Sequence, residues 1–175
     1  MRFAIAAVVL SVLAAAGGCR SDNHERPELR AALERATIGL RDSVGVALTE
    51  SNASVALRAR LVMSDDPVFS VGVLEQQNLE DVRIDLATGR VVSTTPAGTA
   101  SDPCPGSITL AEALTIAEGT AEGDAIAVVP DDDVDCAREI QVLSGVTLIE
   151  VKVAGDGRVL EKELSDEYGG GEDDD

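Results

Sequence analysis

The sequence predicts an α+β protein built of two small repeats, each with one helix packed on an antiparallel β-sheet. Three observations predict it. Apolar residues at helical spacing open two segments, at 29–40 and 108–121. Period-two alternation with one polar face follows each of them, the mark of strands covered on one side only. Two glycine hairpins then close the segments in similar words, Asp85-Leu86-Ala87-Thr88-Gly89-Arg90-Val91-Val92 and Val153-Ala154-Gly155-Asp156-Gly157-Arg158-Val159-Leu160.

The first eighteen residues precede this pattern and have a different character. Met1-Arg2 supplies one positive charge, Phe3 to Leu10 is apolar, and Val12 to Ala16 resumes the run before Gly17 and Gly18. A short basic start, an apolar core and small residues at the end are the parts of a secretion signal. The run is shorter than the roughly 20 residues that span a bilayer. Ala16-Gly17-Gly18-Cys19 resembles a bacterial lipobox, which implies cleavage before Cys19 and lipidation of its thiol. Several acyl chains on one residue suffice for stable anchoring. Arg20, in place of an aspartate, resembles lipoproteins sent on to the outer membrane. The expected location is therefore the cell envelope, at the outer membrane facing the periplasm. The membrane would be a partner through the N-terminal lipid.

Residues 19–28 are polar, contain the single histidine His24, and read as a tether. The first repeat occupies 29–95. In its helix, Leu29, Ala32, Leu33, Ala36 and Leu40 share one face. Val55, Leu57, Ala59 and Leu61 alternate with Arg58 and Arg60 in the first strand. Asp65-Asp66-Pro67 turns the chain, Phe69, Val71 and Val73 form the next strand, and Val82, Ile84 and Leu86 the third. Residues 96–107 contain three prolines and two glycines and read as a linker. The second repeat occupies 108–164. Thr109-Leu110-Ala111-Glu112 is a capping box, and Leu110, Ala113, Leu114, Ala117 and Ala121 give the apolar face, with Gly123 as a stop or Gly119 as an earlier one. Strands are expected at 125–129, 138–143, 147–153 and 158–164. Residues 165–175 are acidic and glycine-rich, the composition of a disordered tail.

The second helix, Ile108-Thr109-Leu110-Ala111-Glu112-Ala113-Leu114-Thr115-Ile116-Ala117, followed by strands and a Gly-Arg-Val hairpin, resembles the PepSY domain. In the first half, Pro67-Val68-Phe69-Ser70-Val71-Gly72-Val73 resembles the central strand of that family. Val82-Arg83-Ile84-Asp85-Leu86-Ala87-Thr88-Gly89-Arg90-Val91 resembles its closing motif. The second copy departs, with Val153-Ala154 in place of the acidic start and no aromatic in Glu139-Ile140-Gln141-Val142. The resemblance implies a secreted or membrane-attached, non-catalytic protein that restrains peptidases or mediates envelope interactions.

Composition narrows the function. Acidic residues outnumber basic ones 32 to 14, for a net charge of −18. Such a chain repels nucleic acid and anionic head groups, and lacks the basic stripe of a nucleic-acid binder. Beyond the signal, Phe69 and Tyr168 are the only aromatics, so stacking platforms are not expected. With Cys19 lipidated, Cys104 and Cys136 remain; in an oxidising compartment two thiols suggest one disulfide, the alternative being two free buried cysteines. One histidine in a tether serves neither a triad nor a zinc cage, and no catalytic residues are assigned; the chain reads as no enzyme. Asp131, Asp132, Asp133 and Asp135 could offer oxygens to Ca²⁺, the one cofactor considered, or simply form a solvated loop; the spacing is not that of an EF-hand. Arg58 and Arg60 share a polar strand face and could meet an acidic partner, or pair with Asp81 or Asp85. An exposed sheet edge could accept an extended peptide by strand addition. The three readings are a PepSY-like binding or peptidase-regulating lipoprotein, a divalent-cation-binding envelope lipoprotein, and a structural lipoprotein without a small ligand.

Overall fold

The computed structural model describes residues 26–165. The signal, Cys19, His24 and the acidic tail beyond Ser165 lie outside the described residues. The chain runs through α1 (Pro27–Leu33), α2 (Leu40–Ser51), β1 (Val55–Val62), β2 (Val68–Glu75), β3 (Asn78–Asp85) and β4 (Val91–Thr99). It continues through α3 (Leu110–Ala121), β5 (Asp124–Pro130), β6 (Arg138–Ser144), β7 (Thr147–Val153) and β8 (Val159–Leu164). The α+β class and the antiparallel pairing are as expected.

The eight strands form one sheet, in the order β4-β3-β2-β1-β5-β6-β7-β8, where two separate small sheets were expected. The join is an antiparallel pairing of β1 with β5, at Ala59↔Val128 and Arg60↔Ala127. The physical reason is edge satisfaction. A lone four-stranded sheet leaves the backbone groups of its first strand unpaired. Pairing the two first strands covers both edges and lets the apolar core run from Phe69 and Ile84 on one side to Val142 and Val153 on the other.

The first helix differs from expectation. The face of 29–40 is split into α1 and the start of α2, and α2 runs on through 51, where no helix was expected. Pro27 at the first turn starts α1. Ala36 N–H closes onto Leu33 O at 3.0 Å and Thr37 N–H donates to Leu86 O at 2.8 Å, so the chain leaves helix geometry there. Gly39, extended at φ −88° and ψ 172°, is the N-cap of α2. Two β-branched residues and a glycine at 37–39 make the break cheap. Leu33 and Ala36, expected to cover the sheet, are only partly buried. Leu40, Ser43, Val44 and Ala47 of α2 make that face instead.

The expectations for α3 hold. Thr109 Oγ1 accepts from Glu112 N–H at 3.2 Å, and Glu112 Oε2 accepts from Thr109 N–H at 2.7 Å. The Thr109 N–H and then its hydroxyl, both donating to Oε2, hold the Glu112 carboxyl below its ordinary range. Leu110, Ala113, Leu114, Ala117 and Ala121 are all buried. The αL residue that ends the helix is Glu122, not Gly123. Gly123 has another reason to be glycine: a Cβ there would lie 2.4 Å from Leu143 O. Gly89 and Gly157 do serve the hairpins, at φ +66° and +88°.

The segment read as a linker from 96 is strand as far as Thr99. Pro96 and Gly98 sit on the outer strand β4, with a register shift opposite Leu79 and Glu80. An edge strand tolerates proline because half of its donors face no partner. Helices α2 and α3 pack against each other and on one face of the sheet. Segment 26–37 straps both halves on that side: Arg26 N–H donates to Val146 O at 2.6 Å, Arg30 pairs with Asp124 at 3.0 Å, and Thr37 reaches Leu86.

Candidate functional site: the helix-free sheet face

Pleating alternates side chains across the sheet, so register alone identifies the face without helices. Phe69, Val71, Ala59 and Leu61 point to the helices and are buried. Arg58 and Arg60 therefore point away, opposite Gly72 and Ser70, with Asp81 and Arg83 on the next strand. A groove of about 370 Å³ lies here, lined by Arg58, Arg60, Ser70, Asp81, Ala97 and Val129.

The two arginines thus share one stretch of this face, and Asp81 and Asp85 each have partners of their own. Asp81 accepts from Ser70 Oγ at 2.6 Å and lies 3.6 Å from Arg83 Nε. Asp85 accepts from the Thr88 N–H and hydroxyl, at 2.8 and 2.6 Å, and so pins its own hairpin. Arg58 is exposed and forms no ion pair with the described residues; its stem crosses the space where Gly72 has no side chain, with Cγ 2.8 Å from where a Cβ would be. Glycine here makes room for a guanidinium to lie along the sheet. Guanidiniums at i and i+2, with Ala97 and Val129 beside them, suit an extended segment bearing carboxylates.

The rest of this face has the opposite sign. Glu139, Glu150, Glu161 and Glu163 sit on β6, β7 and β8, with Lys152 among them. Burial, then the charges of Glu139 and Glu163, push the Glu150 carboxyl above its ordinary value. The outer edges are poor templates for strand addition, since β8 carries Glu161, Lys162 and Glu163, and β4 is interrupted by Pro96.

The acidic loop separates into one inward carboxylate and three outward ones. Asp131 Oδ2 lies 2.6 Å from Lys152 Nζ, with its side chain fully shielded from solvent. Asp131 Oδ1 accepts the backbone N–H groups of Asp133 and Val134. The ammonium, then those backbone donors, outweigh burial and hold the Asp131 carboxyl below its ordinary range. Lys152 is raised in turn. Asp132, Asp133 and Asp135 are exposed. No group of three or more His, Cys, Asp or Glu side chains converges to hold a metal ion among the described residues. Sequence reasoning missed Lys152, whose only signal was a basic residue on the polar face of its strand.

Cys104 and Cys136 form a disulfide with Cα atoms 5.4 Å apart. It ties the segment before α3 to the β5–β6 loop, and Ile108 N–H donates to Gly155 O in the β7–β8 hairpin at 2.9 Å.

Among the described residues, fold and site together define an α+β protein with three helices, a single eight-stranded antiparallel sheet and an open, charged sheet face. No protein-family model and no curated protein matches this sequence. Among solved structures it is similar to a "putative lipoprotein" (CD1622) from Clostridium difficile 630, with 16% identity and a TM-score of 0.44, over 74% of this chain and 95% of that one. A likeness at that level assigns neither family nor function. No helix among the described residues is long and apolar enough to cross a membrane.

Proposed function

We propose that this chain is a non-enzymatic, lipid-anchored envelope protein built of two PepSY-like repeats, which restrains a peptidase by binding it through the helix-free sheet face. The observation that carries the reading is the groove over β1, where Arg58 and Arg60 stand on the same face beside Ala97 and Val129. The palindromic strand order about β1 and β5 supports the repeats, each half being a helix followed by a four-stranded meander. Lipidation at Cys19 would place this face at a membrane surface, on the periplasmic side of the outer membrane.

The test uses the chain from Arg20 onward, immobilised and exposed to envelope extract, with the retained peptidase assayed in the presence and absence of free chain. Wild type is expected to retain a peptidase and lower its turnover. Arg58→Glu with Arg60→Glu is expected to fold normally and lose that retention. Equal retention by the double variant removes the face from the mechanism, and turnover of substrate by the purified chain removes the non-enzymatic reading. Intact mass of the mature protein checks the anchor: an unmodified Cys19 at the cleaved N-terminus would refute lipidation.

A further inference from the structure

A second region, on the opposite side of the sheet, holds a shielded guanidinium nitrogen without a hydrogen-bond partner. Arg138 opens β6, paired with Pro130 on one side and with the buried Val153 on the other. It shares the strand face of Ile140 and Val142, and so lies on the side covered by the helices. Its Nη1 is shielded from solvent and has no hydrogen-bond partner. Asp102 is the acid whose charge supports it, yet Asp102 Oδ1 accepts the Cys104 backbone N–H at 3.0 Å. A shielded guanidinium nitrogen without an acceptor costs free energy that an anion would offset.

The guanidinium borders a cavity of about 420 Å³ between α2, the start of β1 and the disulfide-tied entry to α3. Val44, Leu48, Val55, Ile108 and Leu110 form much of the remaining wall, which Asp102 and several hydroxyl residues complete. That volume lies within the range of small-molecule sites, and a largely apolar wall with a few convergent polar groups is their usual chemistry. Arg138 also borders a cleft of about 500 Å³, and Asp102 lines both spaces; the cleft adds the carboxylates of Asp131 and the exposed Asp135, which disfavour an anion there. The aliphatic side is therefore the one that accepts it.

We infer that this cavity binds a medium-chain aliphatic monocarboxylate, with its carboxylate on Arg138 and its chain between α2 and the start of α3. A single positive charge next to Asp102, in a chain of net charge −18, favours a monoanion over a phosphate dianion. Nothing in this site involves the Arg58–Arg60 groove.

Octanoate is the probe, titrated calorimetrically into the oxidised chain from Arg20 onward, below the concentration at which it self-associates. Saturable 1:1 binding is expected. Arg138→Gln should weaken it roughly tenfold or more, the value of a charged hydrogen bond. Octylamine should bind far more weakly. Should Arg138→Gln fail to fold, Leu48→Trp, which fills the cavity and keeps the guanidinium, is expected to abolish binding. Amide shifts on titration should concentrate at residues 48, 108 and 110. Absence of saturable binding, equal affinity in Leu48→Trp, or shifts confined to Arg58 and Arg60 would overturn the inference.

Discussion

Replacing both Cys104 and Cys136 by serine tests what holds the second half in place. The bridge closes a loop with a sequence separation of 32. In the chain-entropy account, a loop of that length restricts the unfolded chain by ~3.7 kcal/mol at 25 °C. The two cysteines are only partly buried, so little apolar packing is lost with them. For a folded unit spanning residues 26–165, the entropy of unfolding is about 0.3 kcal/mol/K, which converts the loss to a fall in Tm of ~12 °C. Scanning calorimetry of the oxidised wild type and the double variant measures this directly. Urea titration adds an independent check. The variant should show a larger m value, because its unfolded state is no longer cross-linked and exposes more surface. A fall in Tm below about 4 °C with an unchanged m value would refute the reasoning, and non-reducing peptide mapping must recover the 104–136 link in the wild type.

Gly123→Ala places a Cβ against the Leu143 carbonyl, a backbone atom that cannot move aside; overpacking of this kind should cost about 1–3 kcal/mol in chemical denaturation, whereas Gly119→Ala, with open space around it, should cost nothing. Glu150 titrates above its unfolded value because of burial and then Glu139 and Glu163. The native state therefore binds the extra proton, and stability declines as pH rises from the unfolded glutamate range through the folded pKa; Glu150→Gln is expected to raise Tm at pH 7 and flatten that decline. Calcium titrated into the chain should give no saturable heat from the 131–135 loop, since Asp131 is held by Lys152 and two backbone donors; Asp131→Asn should lower Tm at pH 7, with the difference fading as pH falls through the folded pKa of the carboxyl.

Several features were legible along the chain because their causes are local. The Thr109–Glu112 capping box needs four consecutive residues, and the Gly89 and Gly157 turns need one backbone angle each. The placement of Arg58 and Arg60 away from the core followed from period-two alternation, and Cys104 with Cys136 from elimination and redox compartment. The break at 34–39 was harder to see, because Leu29, Ala32, Leu33, Ala36 and Leu40 keep helical spacing straight through it. Only the donation from Thr37 to Leu86 O, 49 positions away, shows why the backbone leaves the helix there. Likewise α2 was obscured by Gly45 and the β-branched Val44, Val46 and Thr49, whose weak intrinsic preference is overridden by packing on the sheet.

By itself, then, the sequence determined the helix-and-meander pattern, the face of each strand, the turns, the capped helix and the pair of cysteines able to bridge. Tertiary structure alone decided that the two meanders share one sheet, that Lys152 takes Asp131, and that Arg138 borders the cavity between α2 and the start of α3. The division has a physical basis. Periodicity, capping and turn geometry arise from neighbours a few residues apart, whereas strand-edge pairing and charge pairing depend on which distant groups remain unsatisfied once the chain has collapsed.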